Sequence, residues 1–213
     1  MVWPHDHHDT FVVGLAEGKV RGCMLKSNKS QPLFGSDVFC VSVTSSPDGQ
    51  NVAAGFIDNT ILTFNLETKV KSKITHTTIP QALAWGTHIL AAGNDGRVSF
   101  YDSTGDRFYS FDYSKDEKVK EFNCASFNAT GETVVCGNYD RFYVYNFNSK
   151  RPQWDEICCK KIDNYYSVTS CAWKHDGSKI GVGSLCGSVD VFDICLKKSR
   201  YKGKFEFTYV SLS

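Results

Sequence analysis

The chain has 213 residues, of which 41% are hydrophobic and 14% aromatic, and its 24 basic and 23 acidic residues leave a net charge of +1. This composition is typical of one folded domain with a sizeable core and excludes a disordered chain. Because the charges are so closely balanced, no overall field draws the chain to nucleic acid. No run of about 18 apolar residues predicts a membrane span.

The first ten residues, 1–10, are mostly polar and include three histidines and two aspartates. They contain no apolar core of the length that a signal peptide needs, so we expect a ragged tail and a protein retained in the cytosol or a compartment continuous with it. The nine cysteines fit a reducing compartment, since Cys171 aligns with Val43, Leu83 and Ala125 in other copies of an internal repeat. A position shared with aliphatic residues indicates packing rather than disulfide bonding.

One octet recurs along the chain at intervals of roughly 37 to 47 residues, a spacing typical of repeat architectures. The copies are 17–24 (EGKVRGCM), 58–65 (DNTILTFN), 95–102 (DGRVSFYD), 139–146 (YDRFYVYN) and 186–193 (CGSVDVFD). The fourth and sixth residues are apolar or small, and the seventh is aromatic in four copies, so the octet predicts a strand buried on both faces. A glycine shortly before each octet predicts close backbone approach: Gly14, Gly55, Gly93, Gly137 and Gly183.

The unit that ends with the last octet shows the pattern most completely. Residues 166–173 alternate with the two-residue period of a strand, and the Asp-Gly pair that follows predicts a tight turn. A second strand at 179–183, a turn at 186–187 and a third strand at 188–192 come next, closed by Asp193. Three antiparallel strands ending in an aromatic residue and Asp resemble one blade of a WD-type β-propeller, an all-β fold.

The sequence therefore predicts a tail, 1–10, and a partial WD-repeat propeller, 11–213. In chain order its units are 11–25, which holds only two strands, then 38–65, 80–102, 119–146, 166–193, and 205–213 as the start of a further blade without a partner for its strand. The segment 111–121 predicts an exposed connection plus an outer strand.

Ring closure removes the open edges of a propeller and would need roughly seven blades, whereas the chain supplies about four and a half. We therefore expect a fragment or incomplete product that exposes apolar blade faces and unpaired strand edges, and that associates with itself.

The sequence contains no nucleophile elbow, phosphate-binding glycine loop or HExxH motif, and predicts no catalytic, cofactor or metal site. We expect His5, His7 and His8 to be solvated, and His76, His88 and His175 to lie at the surface or cap strand ends. Acidic residues at the hairpin turns (Asp58, Asp95 and Asp140) fit turn formation rather than paired acid–base chemistry. An enzyme on this fold would need polar groups converging on the central channel, where the predicted inward positions are mostly aliphatic or small.

A basic run near the carboxyl end has two interpretations. Its cations are Lys197, Lys198, Arg200, Lys202 and Lys204. They fit a solvated loop between blades, or a contact with an acidic helix, a tubulin tail or an anionic membrane surface, to which each basic residue would contribute about 1 kcal/mol.

Several stretches resemble the first N-terminal propeller of the intraflagellar transport protein 172 family. They are GLAEGKVR (14–21), SNKS (27–30), ALAW (82–85), FDYSKD (111–116), YDR (139–141), AWKHDGSKIGVGSLCG (172–187) and KSRYKGKFEFTYV (198–210). They occur in the family's order over nearly the whole chain. The last three residues depart from the family, and the chain lacks the second propeller and helical solenoid of its members.

The resemblance implies a non-enzymatic scaffold in the intraflagellar transport B complex, needed for cilium assembly and maintenance and for transport along axonemal microtubules. It implies other B-complex subunits as partners and a location in the cilium or flagellum, basal body, cytoplasm and cytoskeleton. No small-molecule substrate, cofactor or nucleic acid is implied. The alternative is a coat-type or generic WD-repeat adaptor in membrane traffic.

Overall fold

The computed structural model describes residues 1–201 and 205–212, with side chains through residue 194. All regular elements in this part of the chain are β-strands. They are β1 (Thr10–Gly14), β2 (Lys19–Met24), β3 (Lys29–Gly35), β4 (Cys40–Ser45), β5 (Asn51–Phe56), β6 (Thr60–Asn65), β7 (Lys71–Thr75), β8 (Ala82–Trp85), β9 (Ile89–Ala92), β10 (Arg97–Tyr101), β11 (Arg107–Asp112), β12 (Cys124–Phe127), β13 (Thr133–Gly137), β14 (Arg141–Asn148), β15 (Gln153–Lys161), β16 (Val168–Trp173), β17 (Lys179–Ser184), β18 (Val189–Tyr201) and β19 (Phe205–Leu212). Among the described residues, no helix has the length and apolarity to cross a membrane.

The strands form five antiparallel sheets in which neighbours in sequence are neighbours in space. The first sheet has the order β1-β2-β3, and the others are β4-β5-β6-β7, β8-β9-β10-β11, β12-β13-β14-β15 and β16-β17-β18-β19. We name them blades 1 to 5 in chain order. The leading strands of blades 2 to 5 touch one another, β4 with β8, β8 with β12 and β12 with β16, and β4 also touches β1 of blade 1. The blades are therefore stacked side by side with their first strands together, as in a propeller.

The recurring octets occupy equivalent places in these blades. Each includes the tight turn and the start of the strand that follows it: β2 in blade 1, and β6, β10, β14 and β18 in blades 2 to 5. The second residue of the octet adopts a positive φ in four copies, where it is Gly or Asn: Gly18, Asn59, Gly96 and Gly187. Gly and Asn adopt a positive φ at a lower free-energy cost than other residues, which explains why the repeat carries one of them at this position of the turn. The predicted equivalence of the octets is confirmed.

The octet strand packs on both neighbouring blades. Its fourth residue faces the following blade and is fully buried in blades 1 to 4: Val20, Ile61, Val98 and Phe142. Its aromatic seventh residue faces the preceding blade in blades 2 to 5: Phe64, Tyr101, Tyr145 and Phe192. Each interface between blades is therefore an apolar layer that contains the fourth octet residue of one blade and the seventh octet residue of the next. Burial of these side chains stabilises the stack of blades.

The glycines before the octets mark the closest approach between blades. A Cβ added at Gly55 would lie 2.6 Å from Pro80 Cγ, and one at Gly137 would lie 2.5 Å from Val168 Cγ1, both in the following blade. Real Cβ atoms do not approach other atoms so closely, so any larger residue at these positions would push the blades apart. The close approach that the sequence predicts is confirmed at these two positions.

Besides β3, which gives blade 1 a third strand where we expected only two, three expectations about the tail and the strands differ from the structure. First, residues 1–10 are not a ragged tail throughout. Val2 exchanges two backbone hydrogen bonds with Val12 of β1, at 2.8 and 2.9 Å, and Pro4 is buried. The free edge of β1 carries N–H and C=O groups that β2 does not pair. Val2 lies where the leading strand lies in the other blades, and it forms hydrogen bonds with two of these groups.

Second, the last strand is not the start of a further blade. β19 pairs antiparallel with β18 from Ile194↔Leu212 to Tyr201↔Phe205, so it is the outer strand of blade 5 and has a partner. Third, the outer strand of blade 3 is β11, which begins four residues before the segment 111–121 in which we expected it. Outer strands bury little of either face, so their sequences carry a weak signal.

A buried hydrogen bond supports the contact between blades 2 and 3. His76, in the connection after β7, is 3% exposed, and its Nδ1 lies 2.7 Å from the hydroxyl oxygen of Tyr101 on β10. Burial lowers the pKa of His76 to about 4, while nearby Asp95 opposes this shift. The expectation that His76 lies at the surface is wrong, because its ring fills the space beside Tyr101.

We predict that Val144→Thr destabilises the protein and Val191→Thr does not. Both residues are the sixth of their octet, but Val144 is 2% exposed and Val191 is 62% exposed. A hydroxyl buried between blades without a partner costs roughly 1–3 kcal/mol, whereas exposed substitutions usually stay within about 0.5 kcal/mol. Urea denaturation of the two variants checks this, and equal losses of unfolding free energy would contradict the packing described.

We also predict that acid weakens the fold through His76. Its folded pKa lies below the ordinary value of 6.5, so the unfolded chain binds the proton first and stability falls as the pH drops from about 6.5 towards about 4. The loss amounts to roughly 3 kcal/mol across this window, since one pKa unit corresponds to about 1.4 kcal/mol. Unfolding free energies of the wild type and His76→Gln at several pH values test this. The variant should show a shallower pH dependence, and parallel curves would contradict the assignment.

Candidate functional site

The histidines lie in two kinds of environment. His5, His7, His8 and His175 are exposed at the surface. His76 and His88 are buried, and His88 stacks on Phe108 at 4.2 Å and lies tilted against Phe147 at 5.1 Å, measured between ring centroids. Burial lowers the pKa of His88, and nearby Asp102 opposes this shift. The expectation of a surface or capping role for His88 is wrong.

The acidic residues of the turns hold the turns together. Asp58 accepts hydrogen bonds from the Thr60 hydroxyl at 2.6 Å and the Thr60 amide at 3.2 Å. Asp140 pairs with Arg141, its Oδ1 lying 2.7 Å from Nε, and this interaction lowers the pKa of the carboxyl. The contacts of Asp58 match the turn-forming role that the sequence predicts, as does the hydrogen bond that Asp95 accepts from the Arg97 amide at 3.1 Å, whereas the contact of Asp140 is an ion pair. Among residues with described side chains, no three His, Cys, Asp or Glu residues are grouped as a metal site.

The basic run lies mostly outside what the structure describes. Lys197, Lys198 and Arg200 belong to β18, opposite Tyr209, Thr208 and Glu206 of β19. Their side chains, and all of Lys202 and Lys204, lie outside the described residues. The backbone from 197 to 201 is a strand, so the interpretation as a solvated loop between blades is wrong for this part of the run. β18 is longer than the other octet strands, and its additional residues pair with the antiparallel strand β19.

The clearest candidate for an interaction site is the outward face of blade 5. Val189 and Val191, the fourth and sixth residues of its octet, are 73% and 62% exposed, whereas Phe142 and Val144 at the same places in blade 4 are 0% and 2% exposed. Leu185 adds exposed apolar surface at the turn between β17 and β18. We call this surface, made by Leu185, Val189 and Val191, the blade-5 face.

Small residues make the blade-5 face flat and accessible. Gly181 pairs with Val191 and Gly183 with Val189 across β17 and β18. The atom nearest to a Cβ added at Gly183 is Cβ of Ser170 at 3.8 Å, in contrast to the crowding at Gly137. The ion pair of Lys179 with Asp193 borders the face. The face therefore has the shape and apolar character of the surfaces that blades 1 to 4 bury against their neighbours, and it is suited to binding another β-sheet.

Comparison with known proteins supports the repeat architecture. The family model of the WD domain, G-beta repeat, matches residues 28–65. Among solved structures, a chain of the mitotic checkpoint complex superposes with a TM-score of 0.71 at 16% sequence identity, covering 86% of this chain and 58% of the other. Since the sequence identity is low, this likeness concerns the fold alone. The fold is that of a WD40-type β-propeller, as predicted.

Curated relatives resemble the chain over its full length. Intraflagellar transport protein 172 of Chlamydomonas reinhardtii is 48% identical over 100% of this chain, which spans 13% of that protein. The human homologue of the same name is 41% identical over 99% of this chain, which spans 12% of it. Along the length that it spans, the chain is similar to proteins of the intraflagellar transport protein 172 family.

Proposed function

We propose that the chain acts as a non-enzymatic protein-interaction scaffold within the intraflagellar transport B complex. In this role it would serve cilium assembly and maintenance, and transport along axonemal microtubules, with other B-complex subunits as partners. The cilium or flagellum, the basal body and the adjoining cytoplasm and cytoskeleton are the proposed locations. The observation that carries this proposal is the 41–48% identity over essentially the whole chain with proteins named for intraflagellar transport.

The architecture supports a scaffold on physical grounds. Apolar layers between blades fix the backbone of each sheet, so the turns and connections at the blade ends can vary without disturbing the core. We therefore propose that this part of the protein acts through binding surfaces.

We assign the blade-5 face to docking of a further β-sheet. The four interfaces between blades show how such a face is covered: the leading strand of the following blade lies against it, as Val168 of β16 does at Gly137. A partner must therefore bring a strand with small or medium aliphatic residues on one side. Contact of the basic run, Lys197, Lys198, Arg200, Lys202 and Lys204, with a tubulin tail, an acidic helix or an anionic membrane stays a prediction.

Affinity capture tests the ciliary role. We expect the tagged chain, expressed in ciliated cells, to recover B-complex subunits, and an unrelated tagged WD propeller not to recover them. Quantitative mass spectrometry of both samples provides the measurement. Recovery of coat or membrane-traffic components in their place would contradict the proposal and support the alternative of a WD-repeat adaptor.

The blade-5 face makes a separate prediction about the purified chain. Because exposed apolar sheet faces associate, we expect the 213-residue chain to form oligomers as its concentration rises, and Val189→Glu with Val191→Glu to abolish them. Light scattering measures the mass. The control is Val70→Glu with Ile157→Glu, which changes exposed apolar residues elsewhere. A monomeric wild type, or equal effects of both double variants, would contradict the assignment.

A further inference from the structure

A second surface lies along the outer edge of blade 3. It is a groove of about 550 Å³, lined by Arg107, Phe108, Tyr109 and Ser110 of β11 together with Asp112 and Arg97. Four of these residues follow one another along β11, the outer strand of the sheet, so the groove lies beside that strand.

The backbone of β11 is open on this side. β11 is the last strand of its sheet, and among the described residues it pairs with β10 alone, from Arg97↔Asp112 to Tyr101↔Arg107. In an antiparallel strand, alternate residues direct their N–H and C=O groups away from the existing partner. These groups form a row of donors and acceptors along the groove, to which an extended peptide can add as another strand.

Two arginines give the groove a positive character. Arg107 is exposed and makes no salt bridge or side-chain hydrogen bond within the part of the chain whose side chains are described. Arg97 Nε lies 3.0 Å from Asp112 Oδ2. The other oxygen of Asp112 accepts hydrogen bonds from the amide and hydroxyl of Ser114 at 2.9 and 2.5 Å.

These contacts occupy the groove's only lining carboxylate. The hydrogen bonds from Ser114, followed by that from Arg97, lower the pKa of Asp112 to about 2, so it remains ionised and engaged. Among the described side chains, Asp112 engages only Nε of Arg97, so the Nη groups of Arg97 and the whole guanidinium group of Arg107 are left for a partner. The groove therefore attracts carboxylates and not cations.

The arginines also define a spacing. Arg97 and Tyr101 lie on the same face of β10 because they are four residues apart, and Arg107 is opposite Tyr101, next to a register shift between Phe100 and Tyr101. The two guanidinium groups therefore start from backbone positions about 13 Å apart along β10, the length of four strand residues. An added strand matches them when it carries acidic residues four positions apart. Phe108, which is 39% exposed, offers apolar contact to the residues between them.

We infer that the edge of β11 is a docking site for an extended acidic peptide segment, which adds to blade 3 as a fifth strand with carboxylates near Arg97 and Arg107. This site is separate from the blade-5 face and does not depend on the ciliary assignment. Its partner is a protein segment with acidic residues at every fourth position and β-branched residues between them.

The test uses a fluorescent peptide that alternates valine with threonine or glutamate and carries two glutamates four residues apart. Fluorescence anisotropy measures its binding to the whole chain at low salt. We expect Arg107→Glu to weaken binding about tenfold or more, and Arg107→Gln to have a smaller effect in the same direction. The control, Arg151→Glu, reverses an exposed arginine in the turn after β14 and should change binding by less than about twofold.

Two further probes separate strand addition from simple charge attraction. A peptide with the same sequence and alternate N-methylated amides keeps its charges but cannot complete the ladder, so we expect its binding to be lost. A peptide with lysine in place of glutamate should not bind. Equal effects of Arg107→Glu and Arg151→Glu, or full binding of the N-methylated peptide, would overturn the inference. Circular dichroism melting of each variant confirms that the fold is retained.

Discussion

The structure depends on one repeated contact, the burial of the octet strand between two neighbouring blades. The fourth residue of the octet packs forward on the next blade, and the aromatic seventh residue packs back on the previous one. Because each strand serves two interfaces, no blade has a core of its own, and stability is shared between neighbours. The same arrangement explains Gly55 and Gly137, where an added Cβ would lie within 2.6 Å of a side chain of the following blade.

Most of the fold could be predicted because the sequence repeats this contact in recognisable form. Residues such as Ile61 and Phe64 are apolar on both faces of one strand, and the Asp-Asn or Asp-Gly turn before the strand fixes its register. Outer strands were harder to place. β11 has an exposed or half-buried residue at every position, so no burial pattern marks where it begins.

The remaining differences arose from contacts that no local pattern encodes. Val2 pairs with β1 because that edge is free, and the polar residues that follow it, such as His5, gave no indication of a strand. His76 and His88 have polar side chains, but each is buried among aromatic rings supplied by other strands. The blade-5 face could be expected from the exposed apolar octet residues of an incomplete ring, whereas the β11 groove becomes visible only when Arg97 and Arg107 are placed on one edge.

Native-state hydrogen exchange tests the central claim most directly. It compares octet strands that have the same hydrogen-bonding pattern but differ in how far neighbouring blades bury their side chains. The account predicts that amides of β6, β10 and β14, whose strands are buried on both faces, exchange only through global unfolding. Amides of residues 189–193 in β18, which bear the exposed Val189 and Val191, should exchange through smaller openings and measurably faster. Uniform protection of all four strands would contradict the claim that packing between blades holds this protein together.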